Sequence, residues 1–134
     1  ETGDRVFIVS LTTDEDGKPA TRIVGRGTAR SFIHKCKVQQ EWLRDYPWMK
    51  RYSYFCEVYD VELLNINRKD CIPLKQVYDV LDKNTYTCTI DKDVVKNMSL
   101  CQCRRSHIEM TLDAKNYIDS EIDRLAHIHG FISL

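Results

Sequence analysis

The segment "RIVGRGTA", residues 22 to 29, limits what this chain can fold into more than any other. It is an apolar run of strand character interrupted by Gly25 and Gly27. Glycine inside a strand costs roughly 0.5–1 kcal/mol relative to alanine, because more backbone freedom is lost and no side chain packs. Two glycines on one face therefore need a structural return: a bend, a bulge or the close approach of another backbone. Upstream, "GDRVFIVS" alternates apolar and polar residues, and "TTDEDGKPA" carries the Asp, Gly and Pro of a turn. This pattern predicts an antiparallel pair over Val6–Ser10 and Ile23–Ala29, joined by a long, projecting, solvated loop.

A chain of 134 residues can bury a core of its own, and the reading is one domain over 1–134. An apolar content of 43% with interspersed charge argues for order rather than disorder. Formal net charge is zero, so any attraction to nucleic acid must come from a local basic patch. No stretch has the length of a membrane-spanning helix, and no apolar signal-peptide core opens the chain. The expectation is an intracellular protein, of cytoplasm or nucleus, that does not engage membranes.

Further along, "YSYFCEVYDVELL" (residues 52 to 64) is rich in aromatic and β-branched residues and predicts a long strand. In "CIPLKQVYDVL", Pro73 marks a helix start, and Leu74, Val77, Tyr78 and Leu81 recur at helical spacing. "NTYTCTI" (84 to 90) alternates as a strand would, and Asp91 opens a short helical stretch. The last helix is the plainest. Thr111 caps it, Asp113 sits in its first turn and Gly130 ends it. Leu112, Tyr117, Ile118, Ile122 and Leu125 form its apolar stripe. Together these elements predict an α+β domain: a curved antiparallel sheet or small barrel with peripheral helices.

Six cysteines stand at 36, 56, 71, 88, 101 and 103. Most lie in apolar or strand-like surroundings, where a free thiol packs as a small hydrophobe; a disulfide framework is the alternative. Cys88, Cys101, Cys103 and His107 are poorly spaced for structural zinc, and no metal or other cofactor is expected. His127 and His129 suit the negative end of the last helix. No nucleophile elbow, phosphate loop or paired-histidine metalloprotease motif occurs, and the carboxylates are scattered. The reading is not an enzyme.

Two clusters carry recognition chemistry. "EWLRDYPWMKRYSY" sets Trp42, Tyr46, Trp48, Tyr52 and Tyr54 among Arg44, Lys50 and Arg51. Aromatic faces beside cations are what stacking on a base and gripping phosphates require. "CRRSHIEM" places Arg104 and Arg105 before Ser106, and paired arginines suit phosphate oxygens. Each cluster has a plainer alternative: tryptophans of a core, and a solvated basic turn.

The order "GDRVFIV", variable loop, "RIVGRGTA" resembles the EVE domains of the PUA-like superfamily, relatives of YTH domains. "YFCEVYDVEL", "CIPLKQV" and "RRSHIEMTLDAKNYIDSEI" follow in the family's order, so the resemblance spans residues 3 to 30 and 52 to 125. It implies a PUA-like fold in which the glycine-bearing strand helps close a small barrel, with Arg26 on the opposite face. It also implies a reader of a modified base extruded from DNA or RNA, acting beside an effector domain or protein partner. Such domains carry a strand and helix with a pocket Trp ahead of the Gly-Asp. Here the segment from Ser31 to Arg51 is expected to supply the aromatics instead. The candidate nucleic-acid-binding residues are Trp48 and Trp42 as stacking faces, with Tyr46, Tyr52, Lys50, Arg51, Arg26, Arg104, Arg105 and Ser106 around them. The competing reading is a protein-interaction adaptor that uses the same aromatics as anchors on a flat surface.

Overall fold

The computed structural model describes residues 4–29, 44–45, 58–87 and 109–134. Among the described residues four strands make one antiparallel sheet: β1 (Arg5–Thr13), β2 (Pro19–Ala29), β3 (Val58–Leu63) and the short β4 (Ile72–Pro73). The order is β1-β2-β3, with β4 also paired to β2 in the register Arg22 with Pro73 and Ile23 with Ile72. Among the described residues two α-helices follow β4, α1 (Leu74–Leu81) and α2 (Leu112–His129). The α+β class and the pairing of the first two strands match the sequence reading. Among the described residues the sheet is open and not closed into a barrel.

The chain divides into two compact units, Glu1–Val6 with Arg26–Val61, and Phe7–Gly25 with Glu62–Leu134. In the first, the Ala29 amide donates to the Asp4 carbonyl at 2.8 Å, which ties β2 to the start of β1. The second holds α1, α2 and a core of Ile23, Leu64, Cys71, Ile72, Leu74, Val77, Ile118 and Ile122. Within it, the Gln76 side-chain amide donates to the Tyr117 hydroxyl at 2.9 Å, joining α1 to α2.

The loop between β1 and β2 is shorter than expected, because the strands extend to Thr13 and resume at Pro19. Asp14 closes it. Its carboxylate accepts from the amides of Asp16 (2.9 Å) and Lys18 (2.8 Å), while Gly17 takes the left-handed conformation at φ 76°. A side chain that satisfies two turn amides removes the need for a longer excursion.

Helix α1 buries Leu74 and Val77 and stops where Asp82 turns to φ 48°. The strand expected at 84 to 90 is replaced, over its described residues, by a 3-10 turn (Asp82–Asn84) and one bridge between Tyr86 and Met110. Alternation is a weak strand signal over so few residues, and the turn after α1 wins locally. Helix α2 has the predicted ends. The Thr111 hydroxyl accepts from the Ala114 amide at 3.1 Å, and Gly130 leaves the helix at φ 75°. Its stripe needs one correction: Leu112 is 70% exposed, while Ala114, Ile118 and Ile122 are buried. At the first turn the inward face falls on Ala114, in i, i+4 spacing with Ile118 and Ile122, and Leu112 lies off that repeat. None of the described helices is long and apolar enough to cross a membrane.

Candidate functional site

The two glycines of β2 sit where atoms of β3 come close. A Cβ on Gly25 would collide with the Glu62 carbonyl oxygen and lie 2.7 Å from Leu63 Cδ2 and 3.1 Å from Leu63 Cα. A Cβ on Gly27 would collide with Val58 Cγ1 and sit 3.4 Å from the Tyr59 carbonyl oxygen. Real Cβ atoms do not approach that closely, so β3 packs at this distance only because both positions lack a side chain. Close approach of another backbone, one of the reasons the sequence offers for these glycines, holds at Gly25; at Gly27 the close neighbour is a side-chain methyl of β3.

Period-two alternation puts Arg22, Val24 and Arg26 on the opposite face of β2. Arg26 is buried, at 9% exposure, so this candidate contact lies in the protein interior rather than on an open surface. Arg44 and Asp45 are helical and exposed. Trp42, Tyr46, Trp48, Lys50, Arg51, Tyr52, Arg104, Arg105 and Ser106 lie outside the described residues, as do Cys88, Cys101, Cys103 and His107. The structure therefore places one of the ten candidate residues, Arg26.

Two arginines that the sequence does not single out as binding groups have defined settings in the second unit. Arg22 reaches from β2 to the Cys71 carbonyl, its Nη1 donating at 2.9 Å. Arg68 begins a 3-10 turn (Arg68–Asp70) that Asn67 caps, the Asn67 side chain accepting from the Lys69 amide at 3.1 Å. Arg68 Nη1 donates to the Ser10 hydroxyl at 3.3 Å. Beside this turn lies a cavity of about 180 Å³, lined by Val24, Leu63, Leu64, Ile66, Arg68, Cys71 and Ile132. The C-terminal segment forms one wall: the Ile132 amide donates to the Leu63 carbonyl at 2.8 Å, and the Asn65 amide donates to the Gly130 carbonyl at 3.0 Å. An Asn ahead of a short turn is a local signal that sequence reasoning could have used. The neighbours this turn brings together, Arg68 and Ile132, are far apart in the chain and carry no such signal.

Cys71 is a free, buried thiol whose Sγ donates to the Asn67 carbonyl at 3.7 Å. Burial pushes its pKa up; the nearby Arg22 charge pulls the other way, and Asp70 adds to the rise. The thiol is thus neutral at physiological pH and a poor nucleophile. Among the described residues no group of three His, Cys, Asp or Glu comes together as metal ligands.

No protein-family model matches this chain, and neither a curated protein nor a solved structure matches it.

Proposed function

We propose that the chain is an EVE-type, PUA-like domain that reads a modified base in DNA or RNA. The observation that carries this reading is Gly25, pressed against the β3 backbone on the strand where the resemblance calls for close backbone approach, with Gly27 beside it pressed against a β3 side chain. The antiparallel α+β architecture is compatible with it. In this reading Trp48, then Trp42, offers the stacking face, with Tyr46 and Tyr52 beside it. Arg104, Arg105, Ser106, Lys50 and Arg51 hold flanking phosphates. Arg26, being buried, supports the strand from within. Extruding a base costs a few kcal/mol, and stacking together with hydrogen bonds to its edge offsets about that much. The setting is intracellular, with an effector domain or partner protein acting on what is bound, and the chain itself performs no catalysis.

Binding to matched oligonucleotides with and without base modifications tests the proposal. Trp48→Ala abolishes the preference for the modified base, a loss of about 1–3 kcal/mol for one stacked base. Arg104→Ala and Arg105→Ala weaken both ligands alike and flatten the salt dependence, because phosphate contacts carry no base identity. Far-ultraviolet dichroism separates loss of binding from loss of fold. A folded Trp48→Ala protein with full selectivity removes Trp48 from the pocket. Wild-type protein that binds no oligonucleotide overturns the reading and leaves the adaptor.

A further inference from the structure

The cavity beside the 3-10 turn is apolar except at one edge. Val24, Leu63, Leu64, Ile66 and Ile132 supply its walls, and its volume is about 180 Å³. An apolar cavity of about 150 Å³ holds one benzene ring, so this space suits a ring or a branched chain of similar bulk. Among the described residues two polar side chains reach it. The Cys71 thiol is committed to the Asn67 carbonyl and carries no charge. The Arg68 guanidinium carries one. Its one hydrogen bond among the described residues goes to Ser10, and no carboxylate there pairs with it. A guanidinium has five N–H donors, so an edge remains for a planar anion to accept two parallel hydrogen bonds. Lys69 and Asp70 are exposed on the same turn but do not line the cavity. The turn itself is held by the Asn67 cap and by the Cys71 amide donating to the Arg68 carbonyl at 3.2 Å, so the cation's backbone is in place before any ligand arrives.

We propose that this cavity binds a small amphipathic carboxylate, with its branched or cyclic apolar body inside and its head group on Arg68. Among the described residues the only formal charge lining the cavity is positive, which selects an acid over an amine or a neutral alcohol of the same shape. The proposal does not rest on base reading: it uses Arg68 and the apolar walls, none of which is assigned to nucleic acid.

Titration of the whole chain with 4-methylpentanoate, followed by amide chemical shifts and calorimetry, tests this without nucleic acid. The expected result is saturable binding with shifts at Val24, Leu64, Ile66 and Ile132. The matched alcohol, 4-methylpentan-1-ol, binds roughly tenfold more weakly or worse, and acetate, which lacks the apolar body, gives no saturable shift. Arg68→Met brings the acid down to the level of the alcohol while leaving the melting temperature near wild type, because Arg68 is exposed. Ile132→Trp, which fills the space from its rim, removes binding of both. No saturable shift at the cavity residues overturns the site. Equal affinity for acid and alcohol, or an Arg68→Met protein that binds the acid as wild type does, overturns the role of Arg68.

Discussion

Arg22 and Cys71 are joined across the second unit: Nη1 of the arginine on β2 donates to the carbonyl that precedes β4, at 2.9 Å. In the register of the two strands Arg22 stands opposite Pro73, two residues from Cys71, which puts that carbonyl within reach of the arginine side chain. A carbonyl left beside the ladder needs a donor, and the guanidinium supplies it. Among the described residues Arg22 Nε is buried without a partner, which offsets part of the gain. Arg22→Met is therefore expected to cost about 1–2 kcal/mol, toward the low end for a charged hydrogen bond. Denaturant midpoints at constant m-value measure it. A neutral substitution shows that water satisfies the carbonyl equally well.

The two glycines of β2 differ in what they touch, and the difference is measurable. The atom facing Gly25 is the Glu62 backbone carbonyl, which moves only if β3 moves; the atom facing Gly27 is a methyl of Val58. Each alanine substitution is expected to destabilise by about 1–3 kcal/mol through overpacking. Adding Val58→Ala should recover much of the Gly27→Ala loss, whereas Leu63→Ala should not recover Gly25→Ala. A double-mutant cycle with thermal melts reads both couplings. Equal rescue at the two positions contradicts the geometry.

Around the start of α2, two threonines make opposite predictions. The Thr111 hydroxyl accepts from the Ala114 amide and donates to the Asn84 carbonyl, so Thr111→Ala should cost about 1–2 kcal/mol and Thr111→Ser much less. Thr85 is wholly buried, and its hydroxyl has no partner among the described residues. Thr85→Val keeps the shape and removes an unsatisfied polar atom, so it should be neutral or stabilising by up to about 1 kcal/mol. A loss at Thr85 in urea titrations would mean that the hydroxyl has a partner.

The burial that raises the Cys71 pKa also sets a pH dependence. With the folded thiol titrating above its ordinary 9.0, the native state holds the proton more tightly than the unfolded chain. That stability is complete below pH 9.0 and is lost as pH rises from there through the folded value. Tyr78 also titrates above its ordinary 10.0, because the neighbouring Asp82 carboxylate favours its protonated form. Melting temperatures should fall above pH 9, and the fall should be shallower in Cys71→Ala than in wild type. Alkylation of Cys71 by iodoacetamide should be slow until the protein unfolds. Fast alkylation of the native state shows that the thiol is open to solvent.

Elements whose signals lie within a few residues are legible in the amino-acid sequence. Thr111 and Gly130 end α2 through hydrogen bonds and a backbone conformation set inside single turns. Pro73 stands at the start of α1, and the β1–β2 pair follows from alternation on either side of a turn. Gly25 and Gly27 announce that something must come close to β2, because glycine in a strand is costly without such a reason. What comes close is decided by tertiary structure: a backbone carbonyl at one glycine and a valine methyl at the other. Leu112 faces outward because it lies off the i, i+4 repeat that Ala114, Ile118 and Ile122 keep, a periodicity that is itself legible in the sequence. Of the candidate nucleic-acid site, the sequence supplies the residue types, and the described structure adds only that Arg26 is buried. The cavity on Arg68 has no signature along the chain. Its walls come from β2, from the end of β3, from the turn after it and from the C-terminus. A cavity is a property of contacts between distant segments, and no local pattern encodes the space they leave.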